Sequence, residues 1–106
     1  MAFLEVDESD FQQVMAEEFK KKSIVILKFT SEYCDACHAL EGELEDVDES
    51  NENISILSIE CSESPSIAEH YHIYTLPTML IYKDENNLLY RGEGVVLSQD
   101  IEEIIF

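Results

Sequence analysis

The sequence has few basic residues, and this shortage excludes several classes of partner. Six lysines and arginines stand against 24 aspartates and glutamates, which gives a formal net charge of −18. Such a surface repels phosphate backbones and anionic lipids, so we expect neither nucleic acid nor a membrane as a partner. The acidic excess is typical of a charged shell that maintains solubility, and a basic protein partner or a salty cytoplasm is the alternative.

Cysteines and long apolar runs are also scarce. Three cysteines are too few for a disulfide scaffold, and an odd number cannot pair completely. No apolar run approaches the roughly 20 residues that cross a bilayer. Residues 1–7 carry no basic flank and no apolar stretch, so we expect no signal peptide. We therefore expect one soluble, cytoplasmic domain over residues 1–106.

What the sequence does contain is an alternation of apolar runs and amphipathic stretches. The apolar runs predict strands over residues 3–6, 24–29, 54–61, 79–82 and 88–91. The amphipathic stretches predict helices that follow Ser9, Cys34, Ser64 and Ser98. Gly92 and Gly94 interrupt the pattern before the last helix. The predicted order is β-α-β-α-β-α-β-β-α.

Several residues have the chemistry of helix ends. Ser9, with Gln12 three residues later, resembles a capping box, and Ser98 is expected to cap the last helix. Pro65 suits the first position of a helix. Residues 20–22 are lysines, and they fall where a helix C-terminus favours positive charge.

Two cysteines separated by two residues, Cys34 and Cys37, lie between an apolar run and a helical pattern. At a helix start, the unpaired backbone N–H groups and the helix dipole favour an anion, so a Cys34 thiolate is stabilised. Cys37 lies one turn further in, on the apolar stripe of the helix, close enough for a disulfide with Cys34. Cys-x-x-Cys in a βαβ pattern of a cytosolic chain indicates a thioredoxin-like redox motif.

The chain resembles the thioredoxin family from end to end. The resemblance is carried by residues 28–38, by Thr75-Leu76-Pro77-Thr78, and by Gly94 before the last helix. It implies an α/β thioredoxin fold, with a central mixed β-sheet flanked by helices on both faces. It also implies a cis peptide bond before Pro77, beside the dithiol, which leaves the Leu76 backbone free to pair with an extended substrate. An ordinary trans proline is the alternative.

The chain departs from the usual family motif, Trp-Cys-Gly-Pro-Cys-Lys, at Tyr33, Asp35, Ala36 and His38. Loss of the proline removes a rigid element that is associated with strongly reducing members. Asp35 opposes thiolate formation by charge repulsion, which favours a reductant over a strong oxidant. A protonated His38 would favour a thiolate at its neighbour, and a solvent-facing histidine without that role is an equal alternative.

Lys28 is the largest departure, because the family carries a buried acid there, behind the second cysteine. That acid is thought to accept the proton of the resolving thiol, which a protonated lysine cannot do. The positive charge of Lys28 would instead favour a Cys37 thiolate directly. Since an unpaired buried ammonium is costly, we expect Lys28 to reach the edge of the fold, pair with an acid or titrate low.

The resemblance implies thiol–disulfide exchange with no metal and no cofactor apart from the redox-active Cys34–Cys37 disulfide. Cys34 would attack a substrate disulfide, and Cys37 would resolve the mixed disulfide. The implied partners are disulfide-containing protein substrates and an electron donor of the thioredoxin-reductase type. The substrate groove would be bordered by six residues: Tyr33, Ala36, Thr75, Leu76, Pro77 and Gly94.

Other interpretations remain open. Residues 34–38 also fit the C-x-x-C-H pattern of haem attachment, which would need export and an apolar pocket. A metal site on Cys34, Cys37 and His38 would have a single ligand cluster. The strongest alternative is an interaction module of the same fold with one dedicated partner, or a disulfide isomerase or oxidase variant. Cys61 is expected to be an inert strand thiol, with a regulatory or dimer-forming thiol as the alternative.

Overall fold

The computed structural model describes residues 3–21 and 23–106 of the chain. Over these residues the chain forms five strands and four helices in the predicted order. Their bounds are β1 Phe3–Val6, α1 Phe11–Lys20, β2 Ile24–Thr30, α2 Asp35–Ser50, β3 Ile54–Glu60, α3 Pro65–His70, β4 Thr78–Asp84, β5 Asn87–Glu93 and α4 Ser98–Ile105. The predicted bounds differ from these by a few residues, chiefly where α2 and β4 extend further.

The strands form one mixed sheet in the order β1-β3-β2-β4-β5. β1, β3 and β2 are parallel, whereas β4 is antiparallel to both β2 and β5. β2 is central because it pairs with β3 along its full length and with β4 on its other side. The carboxyl end of β2 therefore lies beside the start of β4, and α2 begins only a short loop later.

Helices cover both faces of this sheet, as the resemblance implied. On one face Leu27 of β2 belongs to an apolar cluster with Phe11 of α1 and Ile67 of α3. On the other face Ile26 belongs to a second cluster with residues of α2 and with Ile101 of α4. The alternation of side chains along β2 supplies both clusters, which explains its nearly unbroken apolar run.

The predicted serine caps are wrong. Asp10 is the residue that precedes α1, and the Ser9 N–H instead donates to the Asp7 carboxylate at 2.8 Å. Ser98 is the first residue of α4, and its N–H donates to the Glu43 carboxylate of α2 at 2.8 Å. At neither helix start does a side chain of the preceding residue accept a capping hydrogen bond.

Of the predictions for Pro65 and Gly92, the first is confirmed and the second is wrong. Pro65 is the first residue of α3, as predicted. Gly92 does not interrupt a strand, since it lies inside β5. The Tyr90 side chain lies over Gly92 in the space that a Cβ would need, so this glycine allows a close approach.

The lysines at the end of α1 act partly as expected. Lys20 lies in the last turn of α1, whereas Lys22 lies outside the described residues. The Lys21 Nζ lies 2.9 Å from the carboxylate of Glu18, which also accepts a hydrogen bond from Ser55 of β3 at 2.6 Å. The Ser55 hydroxyl, and then Lys21, lower the pKa of Glu18. This carboxylate therefore ties α1 to the sheet.

Lys28 carries a charged group into the core. Its side chain is 1% exposed, and its Nζ lies 3.3 Å from Oε1 of Glu41 in α2 and 5.2 Å from the centre of the Phe3 ring. In the register of β2 and β3, Lys28 lies beside Ser58, whose side chain is small. Burial lowers the pKa of the Lys28 ammonium, and the Glu41 carboxylate opposes part of this shift. Of the three outcomes expected for Lys28, the structure shows pairing with an acid together with a lowered pKa.

Truncation of a core leucine tests the packing of α2 on the sheet. Leu44 is fully buried. We expect Leu44→Ala to lower the free energy of unfolding by about 2–5 kcal/mol, because it leaves a cavity that the sheet cannot fill. Leu88→Ala is the matched control, since Leu88 is half exposed, and it should cost less than about 1 kcal/mol. Urea unfolding followed by circular dichroism measures both, and equal losses would contradict this packing.

Burial of Lys28 predicts a specific pH dependence of stability. The pKa of Lys28 in the folded protein lies below its ordinary value of 10.5, so between these two values the unfolded chain binds more protons. Lys28 therefore lowers the free energy of unfolding by its full amount at pH values below its pKa in the folded protein. This loss disappears as the pH rises from that pKa to 10.5, the ordinary pKa of a lysine. Glu41 is one-third exposed, so it can be hydrated when its partner is removed.

We accordingly expect Lys28→Met to raise the free energy of unfolding at pH 7 by about 1–3 kcal/mol. The advantage over the wild type should shrink as the pH rises through that interval. Urea unfolding of the oxidised proteins at a series of alkaline pH values measures the difference. Lys83→Met, which removes an exposed lysine of β4, controls for net charge. A Lys28→Met protein that is less stable than the wild type at neutral pH would show that the buried ammonium does not destabilise the fold.

Candidate active site

The dithiol lies at the carboxyl end of β2, at the start of α2. Cys34 is the residue that precedes the first helical residue, Asp35. Cys34 is partly exposed and Cys37 is fully buried, and the two form a disulfide with Cα atoms 5.2 Å apart. One sulfur therefore faces outward and the other inward, as the helical spacing predicted.

A backbone donor is directed at the outer sulfur. The Cys37 N–H donates to Cys34 Sγ, with 3.1 Å between nitrogen and sulfur. The sulfur thus takes the position of a capping acceptor at the start of α2. The same N–H group and the helix dipole would stabilise a Cys34 thiolate after the disulfide is reduced.

The residues around the cysteines are open to solvent. Tyr33 is 90% exposed, and Asp35 and Ala36 are exposed as well. Asp35 lies in the first turn of α2, where the helix dipole favours its negative charge. His38 has a side chain that is 59% exposed. These side chains are available to a partner that approaches the disulfide.

Pro77 and Gly94 meet at the same end of the sheet as the dithiol. The Leu76–Pro77 peptide bond is cis, as the resemblance implied. Pro77 precedes Thr78, which lies opposite Phe29 near the end of β2. The Gly94 N–H donates to the Pro77 carbonyl at 2.9 Å, and Gly94 has a φ of +87°, which suits glycine.

The loop before Pro77 is held by Arg91, the only arginine in the sequence. Its guanidinium donates to the carbonyl of Tyr71 at 2.7 Å and to that of His72 at 2.8 Å. Further along the loop, Thr75 is exposed, and its carbonyl accepts a hydrogen bond from the Thr78 hydroxyl at 2.6 Å. Sequence reasoning missed Arg91, because an isolated arginine in a strand belongs to no motif.

The loop before Pro77 also exposes a large aromatic side chain, as Tyr33 does beside the dithiol. Tyr74 is 84% exposed, and its hydroxyl lies 3.4 Å from Nδ1 of His72. Leu76, two residues later, packs against the apolar cluster beneath α1 and α3. The loop is therefore anchored by an aliphatic side chain and presents an aromatic one to solvent.

Glu41 links the buried Lys28 to the exposed His38. Its Oε1 lies 3.3 Å from Lys28 Nζ, and its Oε2 lies 3.6 Å from His38 Nδ1. The other ring nitrogen of His38, Nε2, lies 3.2 Å from the carbonyl oxygen of Glu32. Glu41 is one of seven acidic residues in α2, so nothing in the sequence distinguishes it from the others. Only the burial of Lys28 beneath the helix does so.

A pocket of about 390 Å³ lies beside Lys28, Glu41 and His38. Lys28, His38 and Glu41 line it together with five further carboxylates from the ends of β1 and β3 and from nearby loops: Glu5, Asp7, Glu32, Glu60 and Glu63. A larger pocket of about 690 Å³ lies on the other face of the sheet, between α1 and α3. The first pocket is strongly acidic and adjoins the start of α2.

The third cysteine is separate from the dithiol. Cys61 follows β3, is partly buried, and is a free thiol. Burial, and then the charge of Glu60, raise the pKa of the Cys61 thiol. A thiol with a raised pKa holds little thiolate at neutral pH, which agrees with an inert role.

The described residues contain neither a candidate metal centre nor a helix suited to a membrane. Over residues 3–21 and 23–106, no group of three or more His, Cys, Asp or Glu side chains is arranged to hold a metal ion. In those same ranges, no helix has both the length and the apolar character needed to span a bilayer.

Comparison with known proteins identifies the family. The thioredoxin family model matches residues 2–105. Thioredoxin of Chlamydia trachomatis serovar D is 32% identical over an alignment of 76 residues, and the match covers 68% of this chain and 74% of that protein. Thioredoxin of Staphylococcus epidermidis is 26% identical over 85 residues, or 79% of this chain and 77% of that protein. Against thioredoxin-2 of Pyricularia oryzae the match spans only 42% of the relative's length.

Solved structures agree with the sequence comparisons. The crystal structure of chloroplastic thioredoxin z superposes with a TM-score of 0.86 at 25% identity, over 99% of this chain and 92% of that one. A malarial protein superposes with a TM-score of 0.73 at 24% identity, over 78% of this chain and 93% of that one, and it supports the fold alone. The chain belongs to the thioredoxin family, whose members are dithiol–disulfide oxidoreductases that work through a redox-active disulfide.

Proposed function

We propose that this protein is a dithiol reductant of protein disulfides that acts through Cys34 and Cys37. The observation that carries the proposal is the position of Cys34 Sγ: it is partly exposed and accepts the N–H of Cys37 at the start of α2. That position favours a thiolate where a substrate can reach it. Cys37, buried one turn further in, is the matching second thiol.

The reaction proceeds in two exchanges. The Cys34 thiolate attacks one sulfur of a substrate disulfide, which forms a mixed disulfide and releases the other substrate sulfur as a thiolate. Cys37 then loses its proton and attacks Cys34 Sγ, which forms the Cys34–Cys37 disulfide and releases the second substrate sulfur. The substrate gains two electrons and the protein loses two. An electron donor of the thioredoxin-reductase type restores the dithiol.

The groove for an extended substrate runs past Pro77. Leu76 presents its backbone there, and Gly94 lies on the other side through its hydrogen bond to Pro77. Tyr33, Ala36 and Thr75 are exposed around the same end of the sheet and border the groove. Asp35 favours the reductant direction by repelling a thiolate at Cys34. A reducing, cytoplasmic compartment fits this direction of exchange.

A second function is favoured by two specific observations. Lys28 replaces the acid that the family keeps beneath the second cysteine, and the net charge is −18. Both fit an interaction module whose dithiol exchanges with a single dedicated partner rather than with many substrates. The two functions differ in whether the protein turns over a general disulfide substrate.

Reduction of insulin by dithiothreitol separates them. We expect catalytic amounts of the wild-type protein to accelerate the reaction, and Cys34→Ser to abolish the acceleration because the attacking sulfur is lost. Cys37→Ser should abolish turnover and accumulate a mixed disulfide between Cys34 and insulin, detectable by mass spectrometry. Cys61→Ser is the control and should leave the rate unchanged. A Cys34–Cys37 disulfide that forms normally without any acceleration would favour the dedicated module.

A further inference from the structure

The Lys28–Glu41 pair joins β2 to the helix that carries the second cysteine. Lys28 lies two residues after Ile26 in β2, so both side chains are on the face of the sheet that α2 covers. Glu41 follows Cys37 by four residues in α2, so their side chains are neighbours on the helix, about one turn apart. Lys28 and Cys37 are therefore both buried where β2 and α2 pack together, and Glu41, which is one-third exposed, contacts Lys28 at the edge of this layer.

We propose that Glu41 is a positioning residue for the second exchange: its carboxylate holds the Lys28 ammonium charged and in place, where the ammonium stabilises the Cys37 thiolate. This inference rests on the proposed function, because it concerns the step in which Cys37 attacks Cys34. The acid beneath the dithiol is then supplied by helix α2 rather than by the central strand. It acts through a lysine and does not take up the thiol proton itself.

The contacts distinguish Glu41 from the other acids near Lys28. Glu41 is the partner at ion-pair distance, 3.3 Å, and its charge opposes the effect of burial on Lys28 more than any other carboxylate does. Glu5 of β1 and Glu45 of α2 contribute smaller charge effects. The remaining charged or titratable residues of the adjoining pocket are His38 of α2, Glu60 of β3, and Asp7, Glu32 and Glu63 of the loops.

The second contact of Glu41 fixes its orientation. Its Oε2 lies 3.6 Å from His38 Nδ1, while the opposite nitrogen of His38 lies 3.2 Å from the Glu32 carbonyl oxygen. The carboxylate is therefore held between a buried cation and a surface ring, with one oxygen toward each. A glutamine at position 41 would keep this shape without the negative charge, so it tests the charge alone.

The step in question is the attack of Cys37 on the mixed disulfide, and its rate can be measured separately from that of the first exchange. In the mixed disulfide, Cys37 releases its proton to solvent, and its sulfur attacks Cys34 Sγ. The bond between Cys34 and the substrate sulfur breaks, the Cys34–Cys37 bond forms, and the substrate leaves as a thiolate. The rate of this step at neutral pH follows the fraction of Cys37 that is ionised. Loss of the neighbouring positive charge lowers that fraction.

The experiment uses a nitrobenzoate disulfide, which releases a coloured thiolate twice when mixed with the reduced protein in a stopped-flow instrument. The first release reports the attack by Cys34, and the second reports the attack by Cys37. All proteins carry Cys61→Ser, so the third thiol contributes no colour. The variants are Glu41→Gln, Lys28→Met and the double variant, with Glu41→Asp as the charge-conserving rescue. Glu49→Gln, an exposed glutamate of the same helix, is the matched control.

We expect Glu41→Gln to slow the second release about tenfold at pH 7, which corresponds to a rise of about one unit in the pH midpoint of that step. Lys28→Met should shift the midpoint in the same direction, and the double variant should be no slower than Lys28→Met alone. Glu41→Asp should restore most of the rate, and Glu49→Gln should leave it unchanged. A merely structural Glu41 would not move the pH midpoint.

Three results would overturn the inference. A lower midpoint in Glu41→Gln would mean that Glu41 acts by direct repulsion of the Cys37 thiolate. An unchanged midpoint would mean that the charge of Glu41 has no part in the step. Additive effects in the double variant would mean that Glu41 acts independently of Lys28. Absence of any second release in the otherwise wild-type protein would instead overturn the proposed function, so the two failures are distinguishable.

Discussion

The structure depends on the burial of β2 between β3 and β4 with a helix layer on each face. A strand that is paired on both sides and covered on both faces cannot shift in register without breaking both apolar clusters. Its carboxyl end is therefore a fixed point, and the chain must leave the sheet there and enter α2. The start of β4, with Pro77 before it, is fixed against the same strand end. The site is precise because it is assembled from the ends of rigid elements.

Features of the site that depend on local sequence were predictable, and features that depend on packing between elements were not. Cys34 at a helix start and Cys37 on its buried stripe follow from spacing alone, and both are where the spacing put them. The central position of β2 follows from its apolar run. Glu41 and Arg91 had no such signal, because each acquires its partner only when separate elements come together. The serine caps were wrong because each helix starts one residue away from the predicted position, so neither serine is the residue that precedes its helix.

Lys28 is a residue whose cost could be predicted from the sequence but whose partner could not. The sequence placed a lysine inside an apolar strand, and physical chemistry allowed three responses: reaching the edge, pairing, or loss of the proton. The folded chain keeps the side chain 1% exposed and pairs it with Glu41. The partners of Lys28 come from other elements: Ser58, a small residue, lies beside it on β3, and Glu41 reaches it from α2. Neither could be read from the residues around Lys28.

The charge distribution gives this pair its particular character. A chain with 24 acidic residues and six basic ones has little positive charge to place anywhere, yet one of its lysines is buried in the core. A buried ammonium destabilises the fold, and a carboxylate close to it offsets part of that cost, which Glu41 does here. The resemblance puts an acid at the position of Lys28, whereas here the strand carries the cation and the acid beside it lies on helix α2. Since electrostatic influence on a thiol depends on where charges lie rather than on which element carries them, the same region can still govern the buried cysteine.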